Sequence, residues 1–130
     1  MKSKLGALSL LILLSQTSLA TPIRVEPVAC PSLNAIKSGG VISIESDRFF
    51  RWRGTNFSKY DTDVEWHFSI YEQFAKTEAE ALSKVKANLK LLSHVDGVFP
   101  LPGEKNAWVC NYFNENPQVV AIAWTQSYDF

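Results

Sequence analysis

The sequence lacks an excess of charge of either sign, and it lacks every common catalytic signature. Its 13 Lys and Arg residues balance 13 Asp and Glu residues, whereas domains that bind nucleic acid are usually markedly basic. We therefore expect no nucleic-acid partner. The motifs GxSxG, GxGxxG and HExxH and the phosphate-binding P-loop are all missing. Nothing in the sequence marks an enzyme, and we predict a protein without catalytic activity.

Long hydrophobic runs are also scarce, and the one that is present occurs at residues 5–14. About ten apolar residues are too few for a membrane-spanning helix, which needs roughly 20. Lys2 and Lys4 precede the run, and small residues follow it up to Ala20, which is the layout of a secretory signal peptide. We predict a signal peptide over residues 1–20, export to the periplasm or out of the cell, and one mature domain over residues 21–130 without a transmembrane segment.

Cysteine is also scarce, with only Cys30 and Cys110 present. Exported proteins with an even number of cysteines usually pair them, because the compartment is oxidising. We therefore predict one disulfide that closes a loop over most of the mature chain. The alternative is a catalytic or metal-bound thiolate, but the CxxC or Cys/His spacing of such sites is missing. We predict no metal site.

Hydrophobic periodicity predicts an α+β domain. Thr77 and Glu80 form a capping box at the start of a main helix, and a shorter helix is expected before Gly39-Gly40. Hydrophobic patterning predicts five strands, at residues 41–45, 49–53, 63–71, 107–113 and 118–126. A polar loop is expected over residues 54–62. The last strand is apolar on both faces, so we expect it to be central. The predicted fold is an antiparallel sheet of about five strands with one main helix packed on one face and one disulfide.

Four polar side chains alternate along the third predicted strand: Asp61, Asp63, Glu65 and His67. On one face of a strand they could hold a hard cation or serve acid and base chemistry. We favour a different interpretation, in which they are the solvent face of a hairpin centred near Ser58. They would then pair with Arg51 and Arg53 of the preceding strand, and such exposed pairs contribute only roughly a few tenths of a kcal/mol each.

Arginine and aromatic residues are concentrated in one short segment, Arg48-Phe49-Phe50-Arg51-Trp52-Arg53. A planar guanidinium pairs with anionic groups, and a tryptophan ring offers a stacking face. The segment therefore suits an anionic sugar, a phosphate, a porphyrin with its propionates or a lipid headgroup. The alternative is that Phe50 and Trp52 belong to the core and that the arginines pair with the acidic strand.

The two histidines, His67 and His94, are too few and too far apart in sequence for a zinc site of ordinary spacing. Either imidazole has the chemistry to bind a haem iron, as does a tyrosine such as Tyr112. Because the carboxylates around His67 would repel haem propionates, we rank His94 first as an iron ligand.

The signal peptide, Cys30-Pro31, the segment 48–53 and the late Trp108-Val109-Cys110 together carry a family resemblance. The chain resembles a family of short secreted bacterial proteins of unknown function, some members of which are labelled haemin-binding. The resemblance covers length, signal peptide and cysteine placement, and it implies haemin as a ligand. The missing CxxCH excludes covalent attachment of a haem, so a haem would be held non-covalently.

The leading hypothesis is therefore a small exported binding protein without catalytic activity, with haemin as the candidate ligand. The alternative is a secreted interaction module that binds a host protein, a glycan or a membrane surface through residues 48–53. The tentative ligand-binding residues are Arg48, Arg51, Trp52, Arg53, His94 and Tyr112.

Overall fold

The computed structural model describes residue 27 and the ranges 29–46 and 51–126, and the predicted signal peptide lies outside them. Within these ranges the chain forms two helices, α1 (Leu33–Gly39) and α2 (Glu78–Lys90). It also forms seven strands: β1 (Ser43–Ser46), β2 (Trp52–Ser58), β3 (Trp66–Glu72), β4 (His94–Val95), β5 (Phe99–Pro100), β6 (Ala107–Phe113) and β7 (Val119–Gln126). Neither helix of the described part has the length and apolar character needed to cross a membrane.

The seven strands join in one antiparallel sheet with the order β1-β2-β3-β7-β6-β4, and β5 also pairs with β6. The predictions of an α+β fold, of an antiparallel sheet and of a central last strand are therefore confirmed, because β7 lies between β3 and β6. The number of strands is corrected from about five to seven. Strands β4 and β5 have two residues each, which is too short for any periodicity to reveal.

A small residue on β7 lets large side chains on the two neighbouring strands meet. Ala123 pairs in register with Phe68 of β3 and with Cys110 of β6, and it is fully buried. Above it, the rings of Phe68 and Tyr112 meet edge to face with their centroids 5.9 Å apart. These residues lie on the core side of the sheet, which we call the inner face. Residues of the opposite parity form the outer face.

Helix α2 covers the inner face over β1, β2 and β3. Its buried stripe is formed by Ala81, Val85 and Leu89. A close approach occurs at Gly54 of β2, where an added Cβ atom would lie 2.6 Å from the Val85 Cγ1 atom. A glycine at this position therefore permits a contact between helix and sheet that a larger residue would block.

The N-terminal part of the described chain is fastened to β6. Cys30 and Cys110 form the predicted disulfide, with their Cα atoms 5.9 Å apart. The carbonyl of the next residue, Pro31, accepts a hydrogen bond of 2.7 Å from the Tyr112 hydroxyl. Ile36 of α1 is fully buried in the same core. The disulfide prediction is thus confirmed, and the bond links the start of α1 to the inner face of the sheet.

The N-terminus of α2 carries the capping box, with one difference from the usual pattern. The Thr77 hydroxyl accepts a hydrogen bond from the Glu80 amide at 3.2 Å, and the Glu80 carboxylate accepts one from the Lys76 amide at 3.1 Å. The second bond reaches one residue further back than in the standard box. This hydrogen bond to the Lys76 backbone is the main cause that lowers the pKa of Glu80.

Replacing Thr77 with alanine is expected to lower the free energy of unfolding by about 1 kcal/mol, because an amide of the first turn loses its acceptor. Urea denaturation of Thr77→Ala measures this loss. Thr77→Ser is the matched control, since serine keeps the hydroxyl, and it should stay close to wild type. Equal losses in the two variants would contradict the capping role.

Candidate functional site

Three ring side chains form a continuous row across the outer face of the sheet. Phe57 of β2 pairs in register with His67 of β3, which pairs with Trp124 of β7. The Phe57 and His67 ring centroids are 4.5 Å apart. The His67 and Trp124 rings are stacked, with centroids 4.4 Å apart and an angle of 14° between their planes. We call these three residues the ring row.

The ring row is accessible to solvent. Phe57 exposes 47% of its surface, His67 is exposed and Trp124 is half-buried. Neighbouring strands hold the three rings side by side, with the planes of His67 and Trp124 nearly parallel and the plane of Phe57 inclined by 43° to that of His67. Large apolar groups that remain exposed in a cluster are common at binding surfaces.

Two shallow cavities flank Trp124 on the outer face. The first has a volume of about 280 Å³, and its lining joins the ring row to the polar residues Glu45 and Arg53. The second has a volume of about 310 Å³ and is lined mainly by apolar residues, including Leu101 and Ile122. The outer face therefore combines an apolar surface with a few polar groups, which is typical of sites for small molecules.

Arginines bring positive charge to one end of this face. The Arg53 guanidinium donates a hydrogen bond of 2.6 Å to the Glu45 carboxylate. The central carbon of the Arg51 guanidinium lies 5.8 Å from the centroid of the Tyr71 ring. The ion pair is solvent-exposed, and such pairs contribute about 0–1 kcal/mol. The Arg53 guanidinium therefore lies at the surface, where an anionic ligand can reach it.

The predicted cluster of alternating carboxylates is not formed. Strand β3 begins at Trp66, so the three carboxylates precede the strand and only His67 stands on it. The Asp61 carboxylate accepts a hydrogen bond from the Ser32 amide at 3.0 Å, and hydrogen bonds from Ser32 lower the pKa of Asp61. Within the described ranges, no group of three or more His, Cys, Asp or Glu residues is arranged to hold a metal ion.

The predicted ladder of ion pairs between β2 and β3 is wrong. Arg53 pairs in register with Tyr71, so the hairpin is centred near Thr62 rather than near Ser58. This register places an aromatic residue, and no acidic residue, opposite the arginine. Arg53 instead forms its ion pair with Glu45 of β1.

The tentative ligand-binding residues do not converge on one site. Arg48 lies outside the described residues. The Trp52 indole is half-buried and donates a hydrogen bond of 3.0 Å to the Ala75 carbonyl. This bond holds the segment before α2 against β2. His94 is exposed on β4, where its ring lies 3.2 Å from the Asp96 carboxylate. Only Arg51 and Arg53 lie near the ring row's face.

Tyr112 is not presented to a ligand, contrary to the expectation from sequence. Its side chain is fully buried, and its hydroxyl donates to the Pro31 carbonyl. Burial also raises the pKa of Tyr112, which disfavours the phenolate that an iron would bind. The residue belongs to the core.

Sequence reasoning missed two members of the ring row. Phe57 falls within residues 54–62, which the sequence suggests are a loop, and Trp124 falls on a strand that was expected to be central and apolar on both faces. A signal was available for the first of them. Thr55 and Phe57 are a β-branched and an aromatic residue two positions apart, a pattern that favours the continuation of a strand.

The described part of the chain is thus a disulfide-linked α+β domain whose sheet is covered by helices on its inner face. The chain belongs to the family described as Domain of unknown function (DUF4949), whose model matches residues 29–129. No curated protein and no solved structure matches the chain. The expected membership of an uncharacterised family is confirmed, and the family description assigns no ligand.

Proposed function

We propose that the protein is a small exported binding protein without catalytic activity, and that its ligand lies on the outer face of the sheet. Haemin is the candidate ligand. The observation that carries the proposal is the ring row, in which an exposed histidine stands between two aromatic rings. Export is supported by the disulfide, because such bonds form and persist in oxidising compartments.

A porphyrin suits this face in shape. The His67 and Trp124 rings turn their faces toward each other, so a planar ligand laid across the row would meet the edge of the His67 ring, where imidazole nitrogens lie. An imidazole that binds a haem iron approaches the macrocycle in this orientation. The Phe57 and Trp124 rings would then support the macrocycle on either side of the histidine, and the two cavities beside Trp124 would accept its periphery.

The charges near the ring row also favour His67 over His94. The propionates of haemin would face Arg53 and Arg51 at the end of the same face. The carboxylates that argue against His67 on the sequence alone precede β3, and Asp61 is held by Ser32. His67 is therefore the axial ligand that we propose.

Titration of haemin into the disulfide-bonded protein, followed through the Soret band, tests this proposal. We expect a Soret shift in the wild type and a loss of affinity of at least about tenfold, or about 1.4 kcal/mol, in His67→Ala. His94→Ala is the matched control, since it removes the other histidine, and it should titrate as the wild type does. No Soret shift in the wild type, or a shift that His94→Ala abolishes and His67→Ala does not, would contradict the proposal.

A second candidate function is a secreted interaction module that binds a host protein, a glycan or a membrane surface. It is favoured by the proximity of Arg51 and Arg53 to the exposed end of the outer face, since Arg51 lies over the Tyr71 ring and Arg53 pairs in register with that tyrosine. Binding to a glycan array or to anionic liposomes would then be lost in Arg51→Ala/Arg53→Ala. The same binding would be retained in His67→Ala, which separates this function from haemin binding.

A further inference from the structure

Strand β1 lies at one edge of the sheet, and among the described strands it pairs only with β2. On the other side of β1, the backbone groups of Ser43, Ile44 and Glu45 have no strand partner in the described part of the chain. Ile42, which precedes β1, exposes 73% of its surface. An unpaired strand edge can form backbone hydrogen bonds with another extended chain, which then becomes a further strand of the sheet.

A groove with a volume of about 410 Å³ runs between β1 and α2. The strand side contributes the apolar residues Ile42 and Ile44, and the helix side contributes Glu78, Leu82 and Lys86. These three helix residues follow one another at intervals of four, so they form a row along α2 with a step of about 6 Å. The row presents an acidic, an apolar and a basic side chain in sequence.

An extended chain has nearly the same step. Side chains on one face of a strand recur at every second residue, or about every 6.6–6.8 Å. A strand added to β1 would therefore place its residues i, i+2 and i+4 beside Glu78, Leu82 and Lys86. The complementary set is one basic, one apolar and one acidic residue, because opposite charges attract and the apolar side chain is buried against the leucine.

We propose that this groove binds an extended segment of a protein partner, with the pattern basic-x-apolar-x-acidic on the side that faces α2, added to β1 as a further strand. Backbone hydrogen bonds to β1 supply the affinity, and the row on α2 supplies the specificity, as in other cases of strand addition. The groove lies on the α2 side of β1, and Ile42 lines both this groove and the first cavity of the outer face. The inference does not rest on the haemin proposal.

Two capped peptides of identical composition test the proposal: Ser-Lys-Thr-Val-Thr-Glu-Ser and Ser-Glu-Thr-Val-Thr-Lys-Ser. Their dissociation constants are measured by fluorescence anisotropy on the disulfide-bonded protein. If the peptide always adds to β1 in the same direction, one of the two sequences places its Lys beside Glu78 and its Glu beside Lys86. The other sequence places like charges together. We expect the two dissociation constants to differ by about tenfold.

Exchange of the two groove charges, Glu78→Lys with Lys86→Glu, should invert this preference. The readout is the ratio of two dissociation constants on one sample, so a partial loss of folded protein changes both equally. The matched control exchanges two exposed charges that do not line the groove, Lys59→Glu with Glu115→Lys, and should keep the wild-type preference. A peptide with proline at its three central positions should not bind, because proline cannot donate to a strand ladder.

Four results would overturn the proposal. They are equal affinity for the two orders, no binding of either peptide at millimolar concentration, a preference that the charge exchange fails to invert, and full binding of the proline peptide.

A second copy of the chain is the rival occupant of this edge. Sedimentation velocity that finds a dimer which Ile42→Lys dissociates would therefore also overturn the proposal, whereas a monomer in the wild type supports it.

Discussion

Replacing both cysteines, Cys30→Ala with Cys110→Ala, is expected to lower the free energy of unfolding by about 4–5 kcal/mol. The bond joins residues 80 positions apart, and on the chain-entropy account a loop of that length gives a stabilisation of about this size. Small domains have a net stability of only about 5–15 kcal/mol. Urea denaturation of the double variant and of the wild type measures the difference.

The Tyr112→Phe variant is the control for the disulfide experiment. It removes the hydrogen bond between Tyr112 and Pro31 but leaves the covalent link, so it separates the local contact from the loop closure. We expect a loss of about 1 kcal/mol in this variant. A double cysteine variant that loses no more than Tyr112→Phe would show that the disulfide does not stabilise the fold as described.

Replacing Trp66 with alanine is expected to cost about 3–5 kcal/mol of unfolding free energy. The Trp66 side chain is fully buried on the inner face, and its indole donates a hydrogen bond of 2.9 Å to the Thr62 hydroxyl in the turn before β3. Its removal would therefore leave a large cavity and also detach this turn. Thermal and urea denaturation of Trp66→Ala measure the loss.

Trp52→Ala is the matched control for this core prediction, because Trp52 is another strand tryptophan whose indole donates to a single acceptor. Trp52 is only half-buried, so the expected loss is roughly half as large. An equal loss in the two variants, or a larger one in Trp52→Ala, would contradict the placement of Trp66 in the core and of Trp52 at its edge.

The elements with strong local signals were predicted well from the sequence. The capping residue Thr77 marks the start of α2. The polar residues 114–117 between the runs 107–113 and 118–126 mark the hairpin of β6 and β7. The disulfide was predicted from cysteine count and export alone. In each case the information lies in residues that are close in sequence or in a residue type with one dominant chemistry.

The hairpin of β2 and β3 was predicted with the wrong register, for a physical reason. Its turn is long and polar, and alternation continues through Asp61 and Asp63 although both precede β3 and Asp61 bonds with Ser32. Period-two alternation shows which residues can share a face, but the partner residue depends on where the turn closes. Arg53 lies opposite Tyr71 in the structure. The sequence alone gives no reason to prefer this pairing to one with an acidic residue.

The candidate site depends on that same register. Phe57, His67 and Trp124 are distant in sequence or separated by a turn, and they form a row only because β3 lies between β2 and β7. Sequence reasoning considered His67 but judged it by its neighbours along the chain. Its neighbours across the strands, two aromatic rings, are what make it a candidate for binding.

We propose that haemin occupies the outer face of the sheet at the ring row. Amide NMR spectra of the protein with increasing amounts of haemin test it most directly, because the paramagnetic ferric iron broadens the signals of nearby residues. We expect broadening to begin at Phe57, His67 and Trp124 and to spare the amides around His94. Broadening that begins around His94, or that is absent throughout the sheet, would contradict it.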